Sequence, residues 1–476
     1  MSARVADDRR PTRTLVILML GALAYSLAQT MIVPALPEIQ RDVHTTPQNA
    51  TWLLTAFLLS SSVATPLLGR LGDMYGKERL LLIALSVFGA GSLVAALGHS
   101  LLVLVLGRAV QGAGGAIFPL AIGIVRDEFP RERVAAGIGS ISAMFGIGGG
   151  AGLVLAGVLV QGPGYAWIFW LSLAVCAAVA VATWRWVPES PVRVPARVDV
   201  LGALLLSIAL GALLLGVSEG NAWGWASDRV LGLFAVSVVV AAVWVWWELR
   251  VRDPLVDIAL MRRRAVWTTN LATLAIGFAM FGSFILIPQL VQAPASTGYG
   301  FGASVIASGV FLLPSAVVML VSGPLSGSLG HRYGSRVPLA LGGLFGAASY
   351  FWLAAAHGAR VDIYLSGAVL GLGIGLALAA GGNLIVEAVP AEATGLASAV
   401  NAIMRSVGGA IGAQVAAAMV SAKLLADGFP AGSGYTLAFV MSGAAAVVAL
   451  AVTGLIPGRR PQEAAAGAST AIEARA

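Results

Sequence analysis

Three charged side chains are notable for where they occur in the sequence. Asp73 is an acid inside a basic turn, whereas Arg108 and Arg405 lie within long apolar stretches. A charge at the centre of a bilayer costs about 2.5–3.5 kcal/mol on insertion scales, so each arginine is expected to face a partner or a cavity. Side chains placed in this way control charge and conformation; they do not form the pattern of a covalent catalyst.

The turn that holds Asp73 runs from Gly69 to Leu81 and contains glycines that permit close packing and unusual backbone angles. Lys77 and Arg79 in the same turn are expected to face the anionic lipid surface. A carboxylate can bind the N–H groups of a helix N-terminus, which carry partial positive charge. We therefore expect Asp73 to contact the apolar stretch that begins near Gly395. The alternative is an ordinary solvated turn.

The two arginines have polar neighbours at helical spacing. Gln111 follows Arg108 by three residues, and Asn401 precedes Arg405 by four, so each pair shares one helix face. Such faces could line a cavity, although an arginine that binds carbonyl groups at a helix kink would show the same pattern. The candidate cavity residues are Tyr25, Gln29, Thr30, Trp52, Gln289, Asn401 and Arg405.

Other kinds of site find little support. The segment Gly72–Glu78 resembles a phosphate-binding loop but is one residue short and lacks the Ser or Thr. The four histidines are scattered, and Cys176 is the single cysteine. We therefore expect neither an enzyme nor a metal or cofactor site. The best candidates for a proton-carrying carboxylate are Glu38 and Glu219, both expected to be interfacial.

The elements that position these residues are membrane spans. The chain has 476 residues, of which 58% are hydrophobic and 11% charged, whereas soluble domains carry about 25% charged residues. Apolar windows about twenty residues long indicate fourteen transmembrane helices. They fall near 14–34, 49–69, 80–98, 101–125, 134–160, 166–187, 199–218, 229–248, 265–291, 303–326, 337–356, 361–386, 395–420 and 435–456.

The basic residues indicate the orientation. Of the 29 lysines and arginines, 23 fall in the N-terminus, in alternate loops and in the tail, and only four fall in the opposite loops. Because cytoplasmic loops are enriched in Lys and Arg, this split places both termini in the cytoplasm of a cell whose inner membrane holds the chain. The net positive charge therefore reflects the orientation of the chain in the membrane, and nucleic acid is not an expected partner.

An internal repeat divides the chain. The turn at 69–81 recurs, degraded, at 327–339, where His331 replaces the acid. We interpret this second copy as a relic that mainly reverses the chain. Further matches at offsets near 258 place spans 1–6 opposite spans 9–14 and leave spans 7 and 8 as an insert. The predicted segments are an N-terminus at 1–13, a six-helix bundle at 14–187, linkers and inserted helices at 188–264, a second bundle at 265–456 and a tail at 457–476.

With these features, the chain resembles the major facilitator superfamily, and within it the fourteen-span drug:proton antiporter branch, over about residues 12–456. The inner-loop signature is carried by Gly69, Leu71, Asp73, Gly76 and Lys77, and the span-4 signature by Gly107, Arg108, Gln111 and Gly112. The resemblance implies an all-α fold of two six-helix bundles plus two inserted helices. It also implies roles in proton coupling and gating for Asp73, Lys77, Arg79, Arg108 and Gln111.

The sequence departs from that branch in two signatures. The antiporter glycines of span 5 are present at Gly139, Gly148, Gly152 and Gly157, but Leu153 replaces the signature proline. In span 1, Ala28 and Val33 replace the usual Asp and Asn. A cavity with two arginines and no buried acid would repel cations, so neutral or anionic substrates are expected to be favoured.

The expected function is export of hydrophobic drugs, antibiotics or metabolites by proton-coupled alternating access. Protons, a small-molecule substrate and the lipid bilayer are the expected partners of a monomer. Two alternatives stay open: a facilitator or symporter of a polar or anionic solute, and a membrane receptor or scaffold without transport.

Overall fold

Fourteen long helices make up nearly all of the computed structural model, which describes residues 9–50, 52–190, 199–423, 425 and 429–457. Each is long and apolar enough to cross a membrane, as the sequence predicts. They are α1 (Arg9–Asp42), α2 (Trp52–Tyr75), α3 (Lys77–Ala96), α4 (Leu101–Gln111 continued by Ile117–Glu128), α5 (Arg131–Gln161), α6 (Ala166–Trp186), α7 (Val200–Trp223), α8 (Asp228–Glu248), α9 (Arg264–Gln292), α10 (Val305–Tyr333), α11 (Arg336–Ala355), α12 (Arg360–Ala388), α13 (Thr394–Ser421) and α14 (Gly432–Thr453).

Helices are the expected elements because a bilayer offers no hydrogen-bond partner to an open backbone. Helix α4 is interrupted by a 3-10 segment, Gly112–Ala116, directly after Gln111. The turn between α2 and α3 depends on Gly76, whose φ of 115° lies in a region that favours glycine. A Cβ there would also lie 2.5 Å from the Glu189 carboxylate.

The described helices form two six-helix bundles, α1–α6 and α9–α14, with α7 and α8 inserted between them in the chain. Short helices at Pro47–Ala50 and Ile258–Met261 lie in connecting segments. Much of the first predicted linker, 191–198, lies outside the described residues, as do 1–8 and 458–476. The segment boundaries predicted from the sequence therefore stay predictions.

The two bundles meet most closely where glycines cross. A Cβ added to Gly139 on α5 would lie 2.2 Å from the carbonyl oxygen of Gly323 on α10. Small residues at such a crossing let two backbones approach each other. The other signature glycines of α5 also face neighbouring helices, with Gly148 and Gly152 against α1 and Gly157 against α10.

The second copy of the repeated turn does more than reverse the chain, which corrects its interpretation as a relic. Its Gly327 packs against α5 of the opposite bundle, where an added Cβ would lie 2.7 Å from the Cα of Ala136. The first copy packs in the corresponding way, with Gly69 against the carbonyl oxygen of Gly395. Both copies are therefore contacts between the bundles.

The two inserted helices have different environments. Helix α7 packs against both bundles through an apolar cluster that joins Leu210 and Leu214 to Ile403 and Val407 of α13, with Leu59 of α2 alongside. Helix α8 packs on α7, and most of its surface is exposed, including Val238 and Trp246. A helix that is apolar and exposed in this way is suited to contact lipid.

Candidate functional site

Asp73 joins the two bundles at one end of the molecule. The backbone N–H groups of Gly395 and Leu396 donate to its two carboxylate oxygens at 3.1 and 3.0 Å. They belong to the first turn of α13, which has no side-chain cap of its own at Ala393. The Asp73 side chain is buried, with 1% of the residue exposed. The contact predicted from the sequence is therefore present, and Asp73 acts as a cap supplied by the opposite bundle.

Lys77 does not face the lipid surface, which corrects the sequence-based expectation. It is fully buried, and its Nζ lies 2.5 Å from Asp127 of α4 and 3.5 Å from Asp73. A buried charge needs a partner to offset its lost hydration, and two carboxylates provide it here. Arg79 is exposed as expected and pairs with Glu189 at 3.4 Å.

A second arm of this contact was missed by the sequence reasoning. Arg126, at the end of α4, donates to the carbonyl oxygens of Val389 at 2.7 Å and Pro390 at 3.1 Å, and also to the hydroxyl of Thr394. In the sequence it counts only as one of many basic residues near a span end. We use "the latch" for Asp73, Arg126 and the segment 389–396 that they hold.

The sequence offered two interpretations of Arg108, as a cavity residue or as a side chain that binds carbonyl groups, and both apply. It is buried, donates to the carbonyl oxygens of Leu53 and Ala28 at 3.1 and 3.2 Å, and donates to the Gln111 side chain at 2.8 Å. The Gln111 amide in turn donates to Ser92. The Arg108 guanidinium also lies 4.0 Å from the Phe57 ring centroid, and its Nη2 has no hydrogen-bond partner. One donor is therefore still available on a side chain that is otherwise fixed.

A cavity of about 640 Å³ opens between the bundles on the side away from the latch. The eighteen residues from Thr55 on its wall to Asp73 span roughly 27 Å of α2. Its walls come from α1, α2, α4, α5, α7, α9 and α13 and are mainly apolar. Polar side chains on the wall are those of Gln29, Thr30, Thr55, Arg108, Ser218, Glu219, Asn221, Ser406 and Gln414.

The cavity includes only some of the side chains expected there. Gln29, Thr30 and Arg108 line it, although the Thr30 hydroxyl already donates to the carbonyl oxygen of Gly148 at 2.9 Å. The other candidates do not line it in this arrangement of the bundles, so their assignment to the cavity stays a prediction: Tyr25, Trp52, Gln289, Asn401 and Arg405. Helical spacing identifies a shared face but cannot say which neighbour covers that face.

Most of those side chains are explained by other contacts. The Tyr25 hydroxyl lies 3.0 Å from the Ser61 hydroxyl in the first bundle. Asn401 donates to Asn270 and Thr273 of α9, each at 2.9 Å. Gln289 is exposed near the end of α9, and Trp52 is half-buried at the start of α2.

Arg405 lies between the bundles. Its guanidinium is 4.9 Å from the ring centroid of Phe118 and 4.7 Å from that of Phe145, both in the first bundle, while Arg405 itself belongs to the second. Cation–π contacts of this kind are worth about 2 kcal/mol or more when desolvated. Arg405 therefore contributes to the interface, not to the cavity wall.

Two further residues, Glu219 and Leu153, lie on the cavity wall, which the sequence did not predict. Glu219 of α7 lies one turn from the end of that helix, is 3% exposed and lines the cavity. The premise that the cavity lacks a buried acid therefore fails. Glu38, in contrast, accepts the backbone N–H of Tyr165 at the start of α6. Leu153, which stands at the signature proline position, is also on the wall.

Comparison with known proteins identifies the family of this chain. The family model of the Major Facilitator Superfamily matches residues 18–413. The chain belongs to the Major Facilitator Superfamily. It is therefore a membrane transporter and not an enzyme, and its fourteen helices fit the fourteen-span branch that the motifs indicate.

Three relatives are named for drug resistance, export or transport. The chain is 30% identical over 425 residues to the tetracenomycin C resistance and export protein of Streptomyces glaucescens, covering 88% of this chain and 78% of that one. It is 30% identical over 422 residues to the multidrug resistance protein Stp of Mycobacterium tuberculosis, with the same coverage. The multidrug transporter protein MdtP of Bacillus subtilis is 25% identical over 423 residues, covering 88% of this chain and 77% of that one.

A solved structure supports the fold. The human organic anion transporter MFSD10 (TETRAN) has a TM-score of 0.67 with this chain, and the alignment covers 93% of this chain and 99% of that one. The sequence identity is 14%, so this likeness concerns the fold alone.

Proposed function

We propose that this transporter exports hydrophobic drugs, antibiotics or related metabolites by alternating access. The observation that carries the proposal is the pairing of a closed latch at one end with a largely apolar cavity at the other. That arrangement suits the state in which a substrate leaves, because access is blocked on the latch side. The name of the Streptomyces relative supports the direction, and the names of both relatives support a drug or antibiotic as the substrate.

The apolar walls favour a hydrophobic substrate over a small polar solute. Binding pockets for drug-sized ligands have volumes of about 300–1,000 Å³ and mainly apolar walls with a few polar groups, and this cavity fits that description. A scaffold without transport would not need Arg108 buried with one donor unpaired beside the cavity. The export hypothesis is therefore preferred to both alternatives.

The proposed location is the cytoplasmic membrane, with the latch and both termini on the cytoplasmic side. The loops at the latch end carry most of the basic residues, as the positive-inside rule requires of cytoplasmic loops. In this orientation the cavity faces outward. The proposed unit is a monomer in the lipid bilayer.

We propose proton entry as the driving reaction. Each proton that enters at 100 mV releases about 2.3 kcal/mol from the membrane potential alone. The test is efflux of a fluorescent hydrophobic drug from proteoliposomes with an imposed pH gradient. Efflux that accelerates with the gradient and stops when an ionophore collapses it supports antiport. Efflux that is indifferent to the gradient contradicts it.

A further inference from the structure

The segment that joins the insert to the second bundle, residues 249–263, packs against the latch. We call it the connecting segment. Its Leu255 and Val256 are each 2% exposed and form a buried apolar cluster with Leu396. The backbone N–H group of Leu396 is one of the two that bind Asp73. Because burial of these side chains holds the first turn of α13 in place, it also sets the direction of the N–H groups that this turn presents.

Further along, the connecting segment contacts the other end of the latch. Leu260 belongs to a buried apolar cluster that includes Val389 and Ala397. The Arg263 guanidinium donates to the carbonyl oxygen of Ala388 at 3.4 Å, directly before the part of the latch that the second bundle contributes. That part of the latch is therefore held from one side by the first bundle and from the other by the connecting segment.

Glu248, the last residue of α8, fixes the connecting segment to the insert. One of its carboxylate oxygens accepts the backbone N–H of Val256 at 3.2 Å, and the residue is 4% exposed. None of the ion pairs that the described residues form includes Glu248. Burial of a carboxylate without a base is costly, so packing alone does not account for an acid at this position. Its geometry is that of a hydrogen-bond acceptor for the connecting segment.

The end of the insert gives Glu248 a rigid base. Asp199 caps α7 by accepting the backbone N–H of Gly202 at 2.8 Å, and the Trp247 indole of α8 donates to both Asp199 oxygens at 3.1 and 3.0 Å. A Cβ added to Gly202 would lie 2.8 Å from the second carboxylate oxygen of Glu248. Helices α7 and α8 are therefore locked together next to Glu248, and α7 also lines the cavity.

We propose that Glu248 is a positioning residue of the latch. By holding the connecting segment against α13, it keeps the N–H groups of Gly395 and Leu396 aligned with Asp73 and so stabilises the closed latch. This inference rests on the proposed transport function, in which the latch opens and closes. It assigns to the insert, which belongs to neither bundle, a part in controlling access in addition to its contact with lipid.

The test measures how readily the latch opens, in the purified full-length protein without substrate or gradient. Ala399 of α13 is fully buried behind the latch, so Ala399→Cys supplies a thiol whose rate of reaction with a water-soluble maleimide reports opening. We expect Glu248→Ala to raise that rate by about fivefold, as loss of one hydrogen bond predicts. Glu248→Gln keeps an acceptor oxygen and should change the rate by less than about twofold.

Two further variants calibrate the measurement. Asp257→Asn removes a charge from the same connecting segment and should leave the rate unchanged, because asparagine can still cap the short helix at the N–H of Leu260. Asp73→Asn weakens the latch directly and should raise the rate, which establishes that the thiol reports opening.

If Glu248→Ala leaves the rate unchanged while Asp73→Asn raises it, the inference is wrong and the proposed function stands. A glutamine variant that reacts as fast as the alanine variant is equally contrary, since an acceptor would then not be what matters. If Asp73→Asn also leaves the rate unchanged, the latch is not a gate, and the inference falls together with that part of the proposed function. Should Glu248→Ala not fold, Leu255→Ala replaces it; it shortens a buried contact with Leu396 and should raise the rate in the same way, and an unchanged rate would overturn the inference.

Discussion

At the scale of single residues, the latch depends on a carboxylate that caps a helix of the opposite bundle. Hydrogen bonds to a charged group are worth about 1.5–3 kcal/mol, more than neutral ones. Asp73 makes two of them and also lies 3.5 Å from Lys77. A contact of this size can bias the balance between two arrangements of the bundles by an order of magnitude or more.

Replacing Asp73 with Asn should therefore impair transport more than expression. An amide keeps the shape but loses the charge, and it can accept with one oxygen only. We expect the initial rate of drug efflux to fall at least about tenfold, which corresponds to about 1.4 kcal/mol. The comparison is His331→Asn in the second copy of the turn, an exposed position, which should change the rate less than twofold.

Arg126 provides an independent test of the latch. Its guanidinium binds Val389, Pro390 and Thr394, none of which Asp73 contacts. Arg126→Gln should lower the efflux rate by about threefold to tenfold, since part of a charged hydrogen-bond set is lost. The exposed Arg332→Gln removes the same charge from the same end of the molecule and should leave the rate nearly unchanged. Equal rates for both variants would contradict a role for Arg126.

At the scale of helices, close crossings depend on glycine. The Cβ of an alanine at position 139 would lie 2.2 Å from the Gly323 carbonyl oxygen, which is too close for the two backbones to keep their separation. The atoms that the added methyl group would meet belong to the α10 backbone, so no flexible side chain can move aside to make room for it. The crossing of α5 and α10 therefore tolerates no side chain at this position.

Gly139→Ala should lower the melting temperature of the purified protein and its efflux rate together. Overpacking of this kind costs about 1–3 kcal/mol. Gly211→Ala on α7 is the control, because nothing lies within 4 Å of the added methyl group and alanine favours a helix. Thermal unfolding in detergent measures both variants, and an unchanged midpoint for Gly139→Ala would show that the crossing can relax.

At the scale of the whole molecule, alternating access requires the latch to open in each cycle. A covalent bond across it should therefore stop transport. The Cβ of a cysteine at position 69 would lie 3.0 Å from that of Ala399, which is shorter than the separation of about 3.5–4.5 Å that a disulfide requires, so the two helices must move apart slightly to form the bond. The native Cys176 is buried, so it offers little competing reactivity.

The double variant Gly69→Cys with Ala399→Cys should lose efflux on oxidation and regain it on reduction. The physical reason is that α2 and α13 could no longer separate at the latch. Flux in proteoliposomes before and after a reductant gives the measurement, with each single variant as its control. Efflux that continues in fully cross-linked protein would contradict opening at this place.

The helices, the family and the helix-capping role of Asp73 could all be predicted from the order of the residues. Apolar windows about twenty residues long require helices, because a bilayer leaves the backbone no other way to satisfy its hydrogen bonds. An acid in a basic turn could be matched to an uncapped helix start on charge alone, and the match to Gly395 was correct. The spacing of residues is sufficient to predict a helix, because a helix depends on neighbours in the chain. It is also sufficient to match an acid to a helix N-terminus, because the N–H groups there always carry partial positive charge.

The side chains that face the cavity could be identified only once the packing of the helices was known. Arg405 and Asn401 share a helix face with the expected polarity, yet aromatic rings and α9 cover that face. Glu219 lies near the end of its helix, and it is buried because α7 packs between α2 and α13. Burial at these sites depends on contacts between helices far apart in the chain, and the spacing of residues within one helix carries no record of those contacts.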